Sequence, residues 1–384
     1  MRTTITADRL WDGARSISDP VVVIEDGCIA QISSRKNSEV PANAQHFTGT
    51  LAPAFFDVHI HGSAGHDVME ASEQALETVG SFLATRGVAN YLATTVTAPI
   101  DDTLRALNGL AQLIRNRPAG ALAWPIGIHL EGPFLSHEKR GVHPPHLLLA
   151  PDIALFDRML EAAEGLVPLM TLAPELPGAV EFAAHAVSRG VRVSVGHSNA
   201  TSAQTRAVIA AGATSATHTF NAMRALDHRE PGILGTILTT DSLYADLICD
   251  GIHTAPEMVR LWWKAKGSER AILITDAMSA AGMPDGTYQL GGFPVQVAEG
   301  RAMAGGVLAG SVLTLDKALS NFLAFTGAPL HQALRLLSTN PAAMLGESSG
   351  IGLLQPGAPA NLVALDDSGR LLASVVSGIP AQLS

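Results

Sequence analysis

The chain has 384 residues, 47% hydrophobic and 16% charged, with a mean hydropathy of +0.23 and a formal net charge of −10. That apolar fraction excludes disorder, and only two cysteines, Cys28 and Cys249, exclude a disulfide scaffold, a thiolate zinc site and an iron–sulfur cluster, so any metal must be held by His and carboxylates. The balance of 35 acidic against 25 basic residues argues against nucleic acid but not against a small anionic substrate, for which one local arginine suffices.

No apolar run of about 18 residues is free of charges or turn signals, so no membrane span is expected. The opening MRTTITADRLWDG has neither the apolar core nor the small-residue cleavage site of a signal peptide, and a cytoplasmic protein is expected.

Taken in chain order, residues 1–50 read as a small β unit. Val21-Val22-Val23-Ile24 and Cys28-Ile29-Ala30-Gln31-Ile32 flank Glu25-Asp26-Gly27, and Asp-Gly between apolar runs signals a hairpin. The C-terminal stretch repeats the style, with residues 361–365, the turn Asp366-Asp367-Ser368-Gly369, and residues 371–376. Neither end is large enough to fold alone. The economical arrangement packs 1–50 and 346–384 together as one small β-sandwich domain, with 51–345 inserted between its halves.

That middle alternates β-rich runs with amphipathic ones. Strands are expected at 55–60, 91–96, 124–130, 167–172, 191–195, 214–218, 243–248 and 271–275, with helical patterns such as 73–86, 102–115, 152–163 and 202–211 between them. Residues 225–240 show no clear helix. Eight βα units of this total length predict an α/β fold of the (β/α)8 barrel type, with strands apolar through their middles because both faces are covered.

The polar residues cluster where a barrel puts its chemistry. Nearly every expected strand ends, on its C-terminal side, in a potential metal ligand: Asp57-Val58-His59-Ile60-His61, His129-Leu130-Glu131, His197, Thr217-His218, Asp250 with His253, and Thr275-Asp276. His59 and His61 are two apart, which on an extended strand places them on one face. Any one of them alone reads more simply as a hydrogen-bonded loop residue; converging from several strands, they predict a metal site. His46, His66, His137, His146, His185, His228 and His331 lack that convergence and are expected to be ordinary loop or surface residues.

With those residues in view, the chain resembles the amidohydrolase superfamily, and within it the N-acetylglucosamine-6-phosphate deacetylases. The matching stretches run nearly the whole length in order: Asp57-Val58-His59-Ile60-His61-Gly62, His129-Leu130-Glu131-Gly132-Pro133-Phe134, Gly196-His197-Ser198 and His218-Thr219-Phe220-Asn221-Ala222-Met223. Further ones are Arg229-Glu230-Pro231-Gly232, Asp250-Gly251-Ile252-His253, Thr275-Asp276-Ala277, Leu308-Ala309-Gly310-Ser311 and Asn340-Pro341-Ala342.

The resemblance implies a metal-dependent hydrolysis of N-acetyl-D-glucosamine 6-phosphate to D-glucosamine 6-phosphate and acetate, in amino-sugar catabolism. It implies Glu131, His197 and His218 as ligands of an essential divalent ion, with Asp276 as general base. His59 and His61, with Glu131 bridging and Asp276 in reach, would hold a second ion. Zinc is the expected metal, with iron, manganese or cobalt compatible with the same donors. By the same resemblance Asn221, Ala222 and Arg229 would bind the phosphate. His253 would bind the sugar or acyl group, while Val142, His143, Leu308, Ala309 and Gly310 would line the sugar ring. A homodimer is implied as well.

A deacetylase for the galactosamine epimer or for another N-acyl compound shares this chemistry. From another class, a non-catalytic metal-binding barrel is the rival, although an intact base and full ligand set count against it. A phosphate-binding isomerase barrel would have no use for the metal set. The glycine motifs of oxidoreductases and kinases and the Gly-x-Ser-x-Gly elbow of serine hydrolases are absent.

Overall fold

A computed structural model describes residues 2–347 and 349–383. Eight parallel strands occur in sequence order: β1 (Phe55–Ile60), β2 (Val88–Thr95), β3 (Trp124–Glu131), β4 (Leu169–Leu172), β5 (Arg192–Val195), β6 (Ser215–Ala216), β7 (Tyr244–Ile248) and β8 (Ala271–Ile274). Each pairs with the next, and the ring closes where the segment after β8 meets β1. There Asp276 N–H donates to the His59 carbonyl at 2.9 Å and His61 N–H donates to the Ala277 carbonyl at 2.8 Å. Closure at the C-terminal ends draws the first and last strands together at the place where both carry candidate ligands.

Helices follow every strand: α1 (Glu73–Thr85), α2 (Ile100–Arg115), α3 (Ile153–Ala162), α4 (Ala179–Ser188), α5 (Ser202–Ala210), α6 (Gly232–Thr239), α7 (Pro256–Arg270) and α8 (Leu315–Thr326). In α2 the buried residues Thr103, Ala106, Leu107, Leu110 and Ala111 recur at helical spacing. Asp101 and Asp102 in its first turn and Arg115 in its last suit the helix dipole. The α6 helix lies in the stretch that sequence periodicity left without one. Residues 232–237 are all buried there, so no polar face exists to produce a period.

Both chain ends form one eight-stranded sheet. Its strands are Arg2–Trp11, Ser16–Ser18, Pro20–Glu25, Cys28–Ser34, Gln45–Pro53, Leu362–Leu365, Leu371–Val376 and Ile379–Ala381. Pairing is antiparallel except between Arg2–Trp11 and Gln45–Pro53. The expected hairpin turn is present, with Asp26 and Gly27 both at positive φ (49° and 83°). The sheet encloses its own apolar cluster, including Ile5, Leu10, Val22, Ile29, Leu51, Leu362 and Val375.

Outside the elements expected from the sequence, residues 286–308 form a four-stranded antiparallel sheet, Gly286–Leu290, Phe293–Ala298, Arg301–Ala304 and Val307–Leu308. Its alternating pattern was legible, since Leu290, Val295, Val297 and Ala302 turn inward around Met278 and Ala309. The Gly291 turn packs against β2's extension: a Cβ at Gly291 would lie 1.9 Å from Val96 Cγ1. This sheet carries Leu308 to the barrel mouth.

The Asn340 side chain pins the chain's last helix, Thr339–Leu345, to the foot of β8. Its buried Nδ2 donates to the carbonyls of Ser268 and Ala271, each at 2.8 Å. Removing that donor in Asn340→Ala is expected to cost about 1–3 kcal/mol, read as a lowered denaturant midpoint with an unchanged slope.

Candidate metal centre and substrate cavity

Glu131 ends β3 and is buried at the centre of the barrel mouth. Its Oε1 lies 3.4 Å from His59 Nε2, 3.2 Å from His197 Nε2 and 3.1 Å from His218 Nε2. The other oxygen, Oε2, lies 3.3 Å from His61 Nε2 and 3.5 Å from His143 Nε2. Asp276 Oδ1 lies 3.1 Å from His61 Nε2 and 3.4 Å from His59 Nε2. The two nitrogens of the His59–His61 pair are 3.3 Å apart, and those of His197 and His218 are 3.0 Å apart.

A divalent ion with bonds of about 2.0–2.1 Å at tetrahedral angles spaces its ligand atoms about 3.3 Å from one another. The atoms here are spaced that way around two centres with Glu131 between them, and every donor is an imidazole nitrogen or a carboxylate oxygen. His59, His61 and Asp276 form one buried cluster able to hold an ion; Glu131, His143 and His197 form another. The residues fit a divalent metal.

Local structure aims these groups. His59 and His61 both point inward from β1, as their spacing of two requires, and are 0% and 3% exposed. His197, His218 and Asp276 lie just beyond β5, β6 and β8 with φ of 45°, 34° and 49°. Left-handed backbone is costly for residues with a Cβ, and at a strand end it turns the side chain back over the barrel axis.

Hydrogen bonds fix the imidazoles further. The Nδ1–H of His61 donates to the Thr94 carbonyl at 3.0 Å, and that of His197 donates to the Lys139 carbonyl at 2.8 Å. A carbonyl can only accept, so in their neutral, metal-binding form both rings would present Nε2 as a lone pair.

Electrostatics follow from burial and crowding. Burial raises the Glu131 carboxyl's pKa, but His59 and the surrounding imidazoles outweigh it and hold the group well below its ordinary value. Burial likewise pushes Asp276 up, and His59 and His61 bring it well down. For His61 burial acts downward, while Asp276 and Glu131 lift the imidazole well above its ordinary range.

Three carboxyl and imidazole groups beneath the ligands were missed as site residues in the sequence. Asp57 accepts the Thr275 hydroxyl at 2.6 Å and the backbone N–H groups of His59 and Thr275, each at 3.3 Å, which ties β1 to β8 behind both ligand pairs. Burial pushes its pKa up to about 6. Asp246 on β7 accepts the His218 N–H, and burial pushes it up to about 7. His129, held neutral by burial, packs edge-on to His59 with ring centroids 4.7 Å apart. Only their inward position on a strand could have revealed them.

Above the candidate ligands opens a cavity of about 290 Å³, at the lower end of the usual range for small-molecule sites. His143 and Val142 line it on one side, Asn221, Ala222 and His253 on another, and Leu308 and Gly310 close it from the small sheet. Ala309 lies behind this wall, fully buried in the small sheet's core. Arg229 is not brought together with the others: it is exposed and outside the cavity lining. Lys139 supplies the one Lys or Arg of the lining, a cation that sequence analysis did not single out. Of the histidines expected to be ordinary, His66 pairs with Glu70 and His185 with Asp157, both at 3.0 Å.

Comparison with known proteins bears on this geometry. The amidohydrolase family model matches residues 50–381. The chain is 40% identical to an N-acetylgalactosamine-6-phosphate deacetylase of Escherichia coli O157:H7, covering 95% of this chain and 96% of that protein. It is 35% identical to an N-acetylglucosamine-6-phosphate deacetylase of Bacillus subtilis (strain 168), covering 96% and 94%. Among solved structures it is similar to a mutant N-acetyl-D-glucosamine-6-phosphate deacetylase from Mycobacterium smegmatis in complex with N-acetyl-D-glucosamine-6-phosphate. That similarity has a TM-score of 0.92 and 35% identity over 99% of each chain. With the matched residues spanning barrel, metal centre and cavity alike, this chain belongs to the amidohydrolase family.

Proposed function

We propose that the protein hydrolyses the N-acetyl amide of N-acetyl-D-glucosamine 6-phosphate, giving D-glucosamine 6-phosphate and acetate. The observation that carries this reading is the Asp276 carboxylate at the cavity floor, in contact with two imidazoles of a buried ligand set and more exposed than Glu131 (13% against 3% of the side chain). Relatives of known name over nearly the full chain supply the substrate. The galactosamine epimer is the second reading, favoured by the 40% identical relative from Escherichia coli O157:H7.

A bound divalent ion supplies Lewis acidity, polarising the amide carbonyl and lowering the pKa of the attacking water. The chain's own groups do the rest. Asp276, ionised, accepts a proton from the water as its oxygen bonds to the carbonyl carbon. It returns that proton to the sugar nitrogen as the C–N bond breaks, so the amine leaves neutral together with acetic acid, which gives its remaining proton to solvent to become acetate. His143 and His253 orient the substrate; the latter is held by a 2.6 Å bond from Nδ1 to Asp250. The buried Nδ2 of Asn221 finds no protein partner and faces an acceptor-rich ligand such as a phosphosugar.

Two ions per chain, zinc first, are supported by the two adjacent clusters, with Glu131 of one facing His59 and His61 of the other. The free thiols Cys28 and Cys249 suit a cytoplasmic setting. Arg229, off its own cavity, contributes to phosphate binding only across a subunit boundary, in a homodimer.

Acetate release from metal-loaded protein tests the activity, with both hexosamine 6-phosphate epimers offered. Asp276→Asn should retain substrate affinity and lose at least about a hundredfold in kcat; near-normal turnover would remove Asp276 from the proton transfer.

Elemental analysis should approach two ions per chain in the wild type and one in the His59→Ala/His61→Ala double variant. Equal content in the two proteins would show that the pair is not a ligand set.

For the phosphate, Arg229→Ala should raise KM for the phosphorylated sugar by about thirtyfold or more, leave unphosphorylated N-acetylglucosamine nearly unaffected, and do so in a protein that sediments as a dimer. An unchanged preference for the phosphorylated sugar would assign the role to Lys139 instead.

A further inference from the structure

The carboxylates that hold the ligand-bearing turns do not all lie inside the barrel. Asp57 accepts the His59 N–H and Asp246 the His218 N–H, both from buried strand positions. His197 is held from the side. It sits just past β5 with φ of 45°, a conformation that a residue with a Cβ keeps only when its surroundings enforce it.

Glu175 lies three residues beyond β4, half-buried and outside the cavity lining. Its Oε2 accepts the Ser198 hydroxyl and its Oε1 the Asn199 backbone N–H, each at 2.6 Å. Bonds to a carboxylate are short in this way. The Ser198 hydroxyl oxygen in turn accepts the Ala200 N–H at 2.9 Å. One side chain thus fixes the three residues that follow His197.

The same hold reaches His197 by a second route. The Asn199 side chain donates to Glu138 Oε2 at 2.5 Å, and Glu138 precedes Lys139, whose carbonyl takes the Nδ1–H of His197. Ser136 N–H donates to the His197 carbonyl at 3.0 Å. On the far side, Ser198 N–H donates to the Ala222 carbonyl and Arg224 N–H to the Ser198 carbonyl, each at 2.9 Å. The loops after β3, β4, β5 and β6 meet around one imidazole, and Glu175 joins the β4 loop to the rest.

We propose that Glu175 is a positioning residue for the metal centre. By holding Ser198 and Asn199 it sets the left-handed turn that aims His197 Nε2 at Glu131, and so sets the affinity of the His197 cluster for its ion. The proposal rests on the reading above that His197 is a metal ligand, and not on the identity of the sugar. Its reach is confined to one ion, because His59, His61 and Asp276 are aimed from β1 and β8, where Asp57 makes the tie.

The test is competition for zinc between a chelator and the protein, with the urea midpoint of each variant measured alongside. The His59→Ala/His61→Ala background isolates the His197 cluster. In it, Glu175→Ala should weaken zinc binding about tenfold or more, as removal of a group that orients a ligand does. Glu175→Gln keeps a carbonyl oxygen for Asn199 and an amide for Ser198, and should restore affinity to within about threefold of the parent. In the chain with both histidines present, Glu175→Ala should loosen one ion and leave the other's affinity unchanged, a selectivity that general loss of stability would not produce. Unaltered affinity in Glu175→Ala overturns the proposal, as does equal loosening of both ions.

Ser198→Ala removes a single hydroxyl and carries the test should Glu175→Ala not fold. It should weaken zinc binding about threefold; no change there also overturns the proposal. His197→Ala separates this inference from the reading beneath it. If that variant holds zinc as the wild type does, the ligand assignment fails and the proposal with it. If zinc is lost there but not in Glu175→Ala, the proposal alone fails.

Discussion

The arrangement at the barrel mouth depends on one buried carboxylate. Glu131 is placed where five imidazoles approach within 3.5 Å of its two oxygens. An isolated ionised carboxylate at such a depth is strongly unfavourable, and only nearby positive charge and hydrogen bonds make it tolerable. The imidazoles that surround it are themselves poor neighbours for one another, since pairs of nitrogens stand 3.0 and 3.3 Å apart. A divalent ion held among these donors would relieve both problems at once. Metal binding and local order at this mouth would then be one equilibrium, coupled to the loss of protons from the imidazoles.

Sorting those imidazoles is the work of the backbone. Carbonyls of Thr94 and Lys139 are fixed dipoles of known direction, and each takes the Nδ1 proton of one ring, so that the neutral imidazole turns its Nε2 lone pair inward. Left-handed φ at His197, His218 and Asp276 adds the turn that sends each strand-end side chain over the axis. The local conformational cost is met by the barrel's closed sheet and by ties such as Asp57 to Thr275. Chemistry at the mouth is bought with regular structure below it.

Much of this was legible in the residues. Two histidines spaced by two on an apolar strand had to share a face, and polar residues at the ends of successive strands had to converge once those strands closed into a ring. The β-hairpin around Asp26-Gly27 was readable from turn chemistry alone. Other features had no one-dimensional trace. The α6 helix, buried throughout residues 232–237, shows no period. The tie that Asp57 makes exists only through a partner 218 residues away. Arg229 marks the limit of a single chain: its motif position suggests a phosphate contact, and the side chain lies exposed on a loop outside this chain's own cavity.

The terminal sheet matters to the site through a single residue. Its strand Gln45–Pro53 is separated from β1 only by Ala54, whose N–H donates to the Asn361 carbonyl at 3.0 Å. Immediately beyond, Phe55 N–H donates to Gly87 and Phe56 N–H to the Leu337 carbonyl, at 2.8 and 2.7 Å. A strand shifted by one residue would turn His59 and His61 out of the barrel together. Register in β1 is therefore held from both sides, by the barrel through β2 and by the sheet through the pairing of Gln45–Pro53 with Leu362–Leu365. Because that pairing joins a strand from each end of the chain, the inward placement of the first two candidate ligands is secured only when the last tenth of the chain is in place.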